Sequence, residues 1–149
     1  MAIIRISGAG TFDLASRIFV PKSKKRILDY PKRMQIYGDI ICNGEPVDDG
    51  LLSLFEGPNS YTGEDMAEIS CHGGGLITRL ILEELFSLGA MPAEAGEFTR
   101  RAFVSGKLSL TDAEAIGQLL EAESVEQIRL TSGKSRGHLS EKIDALLHA

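Results

Sequence analysis

The sequence predicts an α+β fold: a mixed or antiparallel sheet with flanking helices. Three observations lead there. Short runs alternate apolar and polar residues with a period of two, while longer runs repeat near 3.6. Asn43-Gly44 sits between two alternating runs, the strongest short-range signal for an antiparallel hairpin. The order of elements is strand, helix, hairpin, strand and then helices, with no repeated βαβ unit to build a parallel sheet.

Residues 2–6, AIIRI, read as a short strand, and Ser7-Gly8-Ala9-Gly10 as a turn. Thr11 is the expected N-cap of a helix over FDLASRIF, which Pro21 stops. Residues 22–33 form a basic loop, and 34–42, MQIYGDIIC, a strand. After Asn43-Gly44 the return strand runs from about Val47 to Phe55. GPNSYTGED, 57–65, is a loop with several demanding turn positions. MAEISC, 66–71, alternates as a strand and enters His72-Gly73-Gly74-Gly75. A helix follows from about Leu76 to Leu88 with Gly89 as its C′ residue. The stretch 97–104 suits a short helix. Thr111-Asp112-Ala113-Glu114 and Ser124-Val125-Glu126-Gln127 read as capping boxes, so helices begin near 112 and 125. The second is expected to reach about Leu147, with Gly133 and Gly137 inside it at a cost of ~1 kcal/mol each against alanine. The predicted domains are 1–118 and, as the start of a helical domain, 119–149.

Composition narrows the class. The chain has 149 residues, 43% of them hydrophobic and 25% charged, enough to bury a core without staples. No apolar run approaches the ~20 residues of a membrane span, and the first residues lack the pattern of a secretory leader. Cys42 and Cys71 are too few for a disulfide framework and suit a reducing cytosol, so the expected location is cytoplasmic. The net charge is −5, yet Arg17–Arg33 holds seven basic residues and one acid, Asp29. That run is either a solvated loop or a phosphate-binding surface. Aromatics for base stacking are sparse there, with only Phe19 and Tyr30 inside the run.

Several constellations invite chemistry and most fail on spacing. Gly133-Lys134-Ser135 lacks the earlier glycine of a P-loop, since that position is Ile128, and it lies inside a helical stretch. Cys42, Cys71, His72, His138 and His148 match no zinc spacing, so no metal is expected. Cys71 and His72 are adjacent on a strand and point to opposite faces, which argues against a catalytic pair. The glycines of Cys71-His72-Gly73-Gly74-Gly75 leave two readings open. They serve a positive φ, a close backbone approach or an anion at the helix start, or else they make only a tight turn. Three charged residues stand out: Glu68 in mid-strand, Arg5 among alanine and isoleucine, and Lys107 after Gly106. Spacing alone does not join them.

Four motifs then carry a resemblance: IIRISG at 3–8, GPNSYTGED at 57–65, EISCHGG at 68–74 and GEFTRRAFVSGKLSLTDAEAI at 96–116. Together they resemble the N-terminal domain of the MnmE (TrmE) family of tRNA modification GTPases, over roughly residues 2–149. The resemblance implies a fold like the tetrahydrofolate-binding domain of aminomethyltransferases. It implies a homodimer that binds 5-formyl- or 5,10-methylene-tetrahydrofolate, a flavoprotein partner of the MnmG type, and tRNA as substrate of the complex, with no membrane. The reaction implied places a carboxymethylaminomethyl-type group at C5 of wobble uridine. Its folate contacts carry over onto Arg5, Glu68 and Lys107, with no catalytic residue in this stretch. A carboxylate such as Glu68 can accept the paired donors of a reduced pterin, and Arg5 and Lys107 suit the carboxylate tail. The family's leading strand before IIRISG, its G domain (with GTP, Mg and K) and its C-terminal cysteine motif have no counterpart in these residues, so the chain reads as part of a longer protein. Two other functions compete: a stand-alone folate-dependent aminomethyl transferase-like protein, and a tRNA-binding module acting through the 17–33 basic segment.

Overall fold

The computed structural model describes residues 1–122 and 124–134. It contains two compact units, Met1–Glu94 and Ala95–Ala149.

The first unit is a five-stranded sheet with two helices. Its strands are β1 (Ala2–Ser7), β2 (Phe19–Pro21), β3 (Gln35–Cys42), β4 (Glu45–Phe55) and β5 (Met66–Cys71), in spatial order β1-β5-β4-β3-β2. Every pairing is antiparallel, which settles the sheet type. Helices α1 (Thr11–Ile18) and α2 (Gly75–Ser87) complete the unit.

Alternation divides the strands cleanly. Ile4, Ile6, Ile36, Ile40, Leu52, Leu54, Ala67 and Ile69 form one face, and they pack with Ala15 and Ile18 of α1 and Ile81 and Leu85 of α2 in a single buried cluster. Arg5, Ser53, Ser70, Tyr37 and Glu68 lie on the opposite face, because residues two apart on a strand share a side.

The hairpin forms as the turn chemistry requires. Asn43 and Gly44 both adopt positive φ, 50° and 79°, the pattern of a type I′ turn. A register shift between Ile40 and Ile41 follows on β3.

Several boundaries differ from expectation. Gly10, at φ 80°, takes the N-cap position of α1 in place of Thr11, and Thr11 is the first helical residue, its buried hydroxyl donating to the Gly8 carbonyl at 2.8 Å. The helix ends at Ile18, ahead of Pro21, because Phe19 is already extended and pairs with Ile40. Pro21 thus closes a three-residue edge strand, a position where its missing N–H is tolerated. Inside the basic loop, Ile27–Asp29 makes a 3-10 turn with Ile27 buried.

The second unit holds α3 (Glu97–Val104), α4 (Leu110–Leu120) and α5 (Val125–Lys134). The expected capping box at Thr111 is displaced by two residues. Ser109 is the N-cap, its hydroxyl accepting from the Asp112 N–H at 3.1 Å, while Asp112 accepts from the Ser109 N–H. Two overlapping Ser/Thr-x-x-acid patterns compete there, and the earlier one satisfies the first turn. The Ser124 hydroxyl accepts from the Gln127 N–H at 3.2 Å, as the second box predicts. Gly133 and Lys134 lie on α5, not on a phosphate-binding loop. The expected continuation to Leu147 falls outside the described residues. Among the described residues no helix is long and apolar enough to cross a membrane.

Candidate functional site

Strand register builds the site. Arg5 of β1 stands directly opposite Glu68 of β5, although 63 residues separate them. Arg5 Nε donates to Glu68 Oε1 at 2.8 Å, and Nη2 lies 2.6 Å from the same oxygen. The Glu68 side chain is 24% exposed, reachable yet partly walled. Ser53 of β4 flanks Glu68 on its other side.

The loop 56–65 folds over one end of this face. Ser7 Oγ bonds the Thr62 hydroxyl at 2.7 Å and donates to Glu64 Oε2 at 2.8 Å. Thr62 is fully buried. Gly57 N–H donates to Asp65 Oδ1 at 2.9 Å, Ser60 Oγ donates to the Glu64 carbonyl at 2.5 Å, and Gly8 N–H donates to the Asp65 carbonyl at 3.0 Å. These ties fix Tyr61, whose ring centroid lies 5.7 Å from the Arg5 guanidinium carbon. Acid, base and aromatic ring therefore share one surface, an arrangement suited to a flat, polar-edged heterocycle. Tyr61 is the residue that sequence reasoning missed. Its only signal was its place inside the unusual GPNSYTGED loop.

Lys107 belongs to the second unit. It is exposed in the turn after Gly106, and its N–H donates to the Ala102 carbonyl at 2.8 Å. Of the three charged residues, the structure brings Arg5 and Glu68 together within one unit.

A second polar group ties the end of β5 to β4. Asp48 accepts from the His72 N–H at 2.8 Å and pairs with His72 Nδ1 at 2.8 Å. Asp49 completes the group, with one donor atom from each residue lying within 4.8 Å of the others, a spacing compatible with a metal ion. Here, however, the donors engage one another and Tyr37, whose hydroxyl donates to Asp49 at 2.7 Å. The following glycines have no positive φ. Gly73 is needed for a close approach instead, since a Cβ there would stand 2.6 Å from the Met1 nitrogen. Cys42 and Cys71 are free and buried, and burial pushes both thiols up, away from the thiolate a nucleophile needs.

The Asp48–His72 pair, a clamp between β4 and the end of β5, has a pH signature. The hydrogen bond and charge of Asp48, with the charge of Asp49, raise His72 above 6.5, against small opposing effects of burial and the N-terminal amine. Burial pushes Asp48 up, but the hydrogen bonds from the His72 N–H and ring outweigh it and leave the carboxyl below 3.8. The histidine contribution is complete below pH 6.5 and fades as pH rises through the folded-state value. The aspartate contribution is present above pH 3.8 and fades as pH falls through its depressed value. NMR titration of the His72 ring is expected to give a midpoint above 6.5, which Asp48→Asn lowers. A wild-type midpoint at or below 6.5 contradicts the clamp.

The family described as GTP-binding protein TrmE N-terminus matches residues 1–107. The chain belongs to this family. Among its relatives are proteins named tRNA modification GTPase MnmE. The one from Clostridioides difficile (strain 630) is 43% identical over 146 residues. That from Pseudothermotoga lettingae is 41% identical over 150 residues, and that from Fervidobacterium nodosum 44% over 147. Each alignment covers 98% of this chain and 32% of the relative, so the chain spans about a third of their length.

Proposed function

We propose that this chain is the tetrahydrofolate-binding and homodimerisation module of a tRNA modification GTPase. The supporting observation is the Arg5–Glu68 pair beside Tyr61 on the exposed sheet face. A reduced pterin offers an exocyclic amine and a ring N–H side by side, which one carboxylate can accept together. Both Arg5 contacts fall on Glu68 Oε1, so the lone pairs of Oε2 remain to accept from the ligand. In this reading Glu68 receives the pterin edge and Arg5 orients Glu68. Lys107 supplies a cation for the carboxylate tail. The ligand is 5-formyl- or 5,10-methylene-tetrahydrofolate, the one-carbon donor.

The whole protein, in the same proposal, places a carboxymethylaminomethyl-type group on wobble uridine of tRNA in the cytoplasm. It works with a flavoprotein partner of the MnmG type, and GTP hydrolysis with Mg and K belongs to regions other than these residues. Isothermal titration of this chain with 5-formyltetrahydrofolate tests the core of the reading. Saturable binding at one site per chain is expected, with a dimer in sedimentation velocity. No heat at high protein concentration overturns folate binding, and a monomer there overturns dimerisation.

A further inference from the structure

The loop between β2 and β3 adds no side chain to the Arg5–Glu68–Tyr61 surface, yet with Arg17 at the end of α1 it concentrates the molecule's positive charge. The chain's net charge is −5, and Arg17–Arg33 carries +6, leaving −11 for the rest. Three of the seven basic residues are neutralised by carboxylates. Arg17 pairs with Asp13 at 2.7 Å, Lys22 with Asp39 at 2.5 Å and Arg26 with Asp29 at 2.8 Å. Lys24, Lys25, Lys32 and Arg33 have no carboxylate partner among the described residues. Two of them are held by neutral groups, which orient the head without cancelling its charge. Lys32 Nζ lies 4.8 Å from the Phe12 ring centroid, and Arg33 Nη2 donates to the Asn59 carbonyl at 2.7 Å.

These cations stand on an ordered frame. Lys22 N–H donates to the Tyr37 carbonyl at 3.1 Å, and Lys24 N–H to the Pro21 carbonyl at 2.9 Å. The hydroxyls of Ser23 and Tyr30 bond across the loop. Ile27 anchors the middle in the core, and Arg33 N–H donates to the Leu54 carbonyl at 2.7 Å. Lys24 and Arg33 themselves adopt positive φ, 60° and 66°, a conformation uncommon and strained for such side chains. A solvated charge run needs neither this frame nor that strain. An ordered set of uncancelled cations binds phosphates with less entropy lost than a flexible tail.

We propose that loop 22–33 docks the phosphate backbone of the tRNA, the partner class being taken from the function proposed above. The acidic remainder of the chain repels a polyanion elsewhere and so orients it onto this edge. Tyr30 is the one aromatic in the segment, and its hydroxyl is tied to Ser23, so the loop offers no base-stacking platform. The contact reads backbone and is indifferent to sequence.

The test is fluorescence anisotropy of this 149-residue chain with an unmodified, labelled tRNA transcript across a salt series. Four phosphate contacts imply that affinity falls roughly 100-fold between 50 and 200 mM salt. The variant Lys24→Asn/Lys25→Gln/Lys32→Gln is expected to remove most of that salt dependence and to weaken binding at least about 10-fold at 50 mM. Asparagine is chosen at 24 because it tolerates positive φ. Arg17→Gln, whose charge is already paired, changes affinity less than about 2-fold. Should the triple variant fail to fold, Lys24→Asn/Lys25→Gln alone is expected to remove about half of the salt dependence. No tRNA binding at 50 mM salt, a salt dependence untouched by these variants, or binding to phosphatidylserine vesicles in place of tRNA overturns the proposal. Calorimetry with 5-formyltetrahydrofolate on the same samples separates the two readings. Folate heat without tRNA binding sinks the loop alone, and tRNA binding without folate heat sinks the folate site alone.

Discussion

Glu68→Ala is expected to weaken binding of 5-formyltetrahydrofolate by about 100-fold, which is roughly 2.7 kcal/mol. Hydrogen bonds to a charged group contribute about 1.5–3 kcal/mol each, and the variant removes two that the pterin edge would make. Water recovers part of that loss. Glu68→Gln is expected to lose nearly as much, because its amide donors face the donors of the pterin. Arg5→Lys keeps the charge but loses the fork that holds Glu68 Oε1, so a smaller loss, about 10-fold, is expected. The fold should barely respond, since the Arg5–Glu68 pair is part-exposed and such pairs contribute under about 1 kcal/mol. Calorimetry and thermal melting of the same preparations separate the two effects. A Glu68→Ala protein with wild-type affinity and an unchanged melting curve removes the carboxylate from the site.

That prediction rests on a contact the sequence could only half express. Arg5 and Glu68 each stood out as a charge inside a strand, and alternation put Glu68 on the face away from Ala67 and Ile69, where it lies. What alternation cannot supply is which strands become neighbours. The pairing of β1 with β5 arises when both bury their apolar sides on α1 and α2, a consequence of tertiary packing across most of the unit. Tyr61 was invisible for the same reason. Its orientation comes from the part-buried Ser7–Thr62–Glu64 network, which joins a strand to a loop far along the chain.

Local chemistry was legible where one residue type has one solution. Asn43-Gly44 could be read directly, because few dipeptides adopt two successive positive φ values. β5 matched residue for residue, since Met66–Cys71 alternates between two strong loop signals. β2 was not legible. Three residues ending in proline carry no periodicity, and Phe19–Pro21 is a strand only because β3 offers it an edge. At α1 and α4 the caps expected at Thr11 and Thr111 fall instead on Gly10, through its positive φ, and on Ser109, through its reciprocal bonds with Asp112.

The largest expected effect on stability lies at Gly50, in the middle of the sheet. Its neighbour Gly38 on β3 leaves room for the Phe19 ring and the Val20 carbonyl, since a Cβ at Gly38 would stand 2.5 Å from each. Gly50 faces a harder limit. A Cβ there would stand 2.1 Å from the Ser70 carbonyl oxygen and 3.2 Å from its carbon, atoms of the backbone that no rotamer change can move aside. β4 is held on both sides, by β3 and β5, so relief requires parting a central ladder. Overpacking ordinarily costs about 1–3 kcal/mol, and a clash with fixed backbone belongs at the upper end, so Gly50→Ala is expected to cost about 3 kcal/mol. Gly75→Ala is the matched control. Nothing lies within 4 Å of its Cβ position, it opens α2, and alanine there is expected to stabilise by about 0.5 kcal/mol. Urea unfolding of the two variants should therefore shift in opposite directions. If Gly50→Ala unfolds with the wild-type midpoint, β4 and β5 do not approach as closely at Ser70 as the register requires, and the row that sets Glu68 beside Arg5 loses its support.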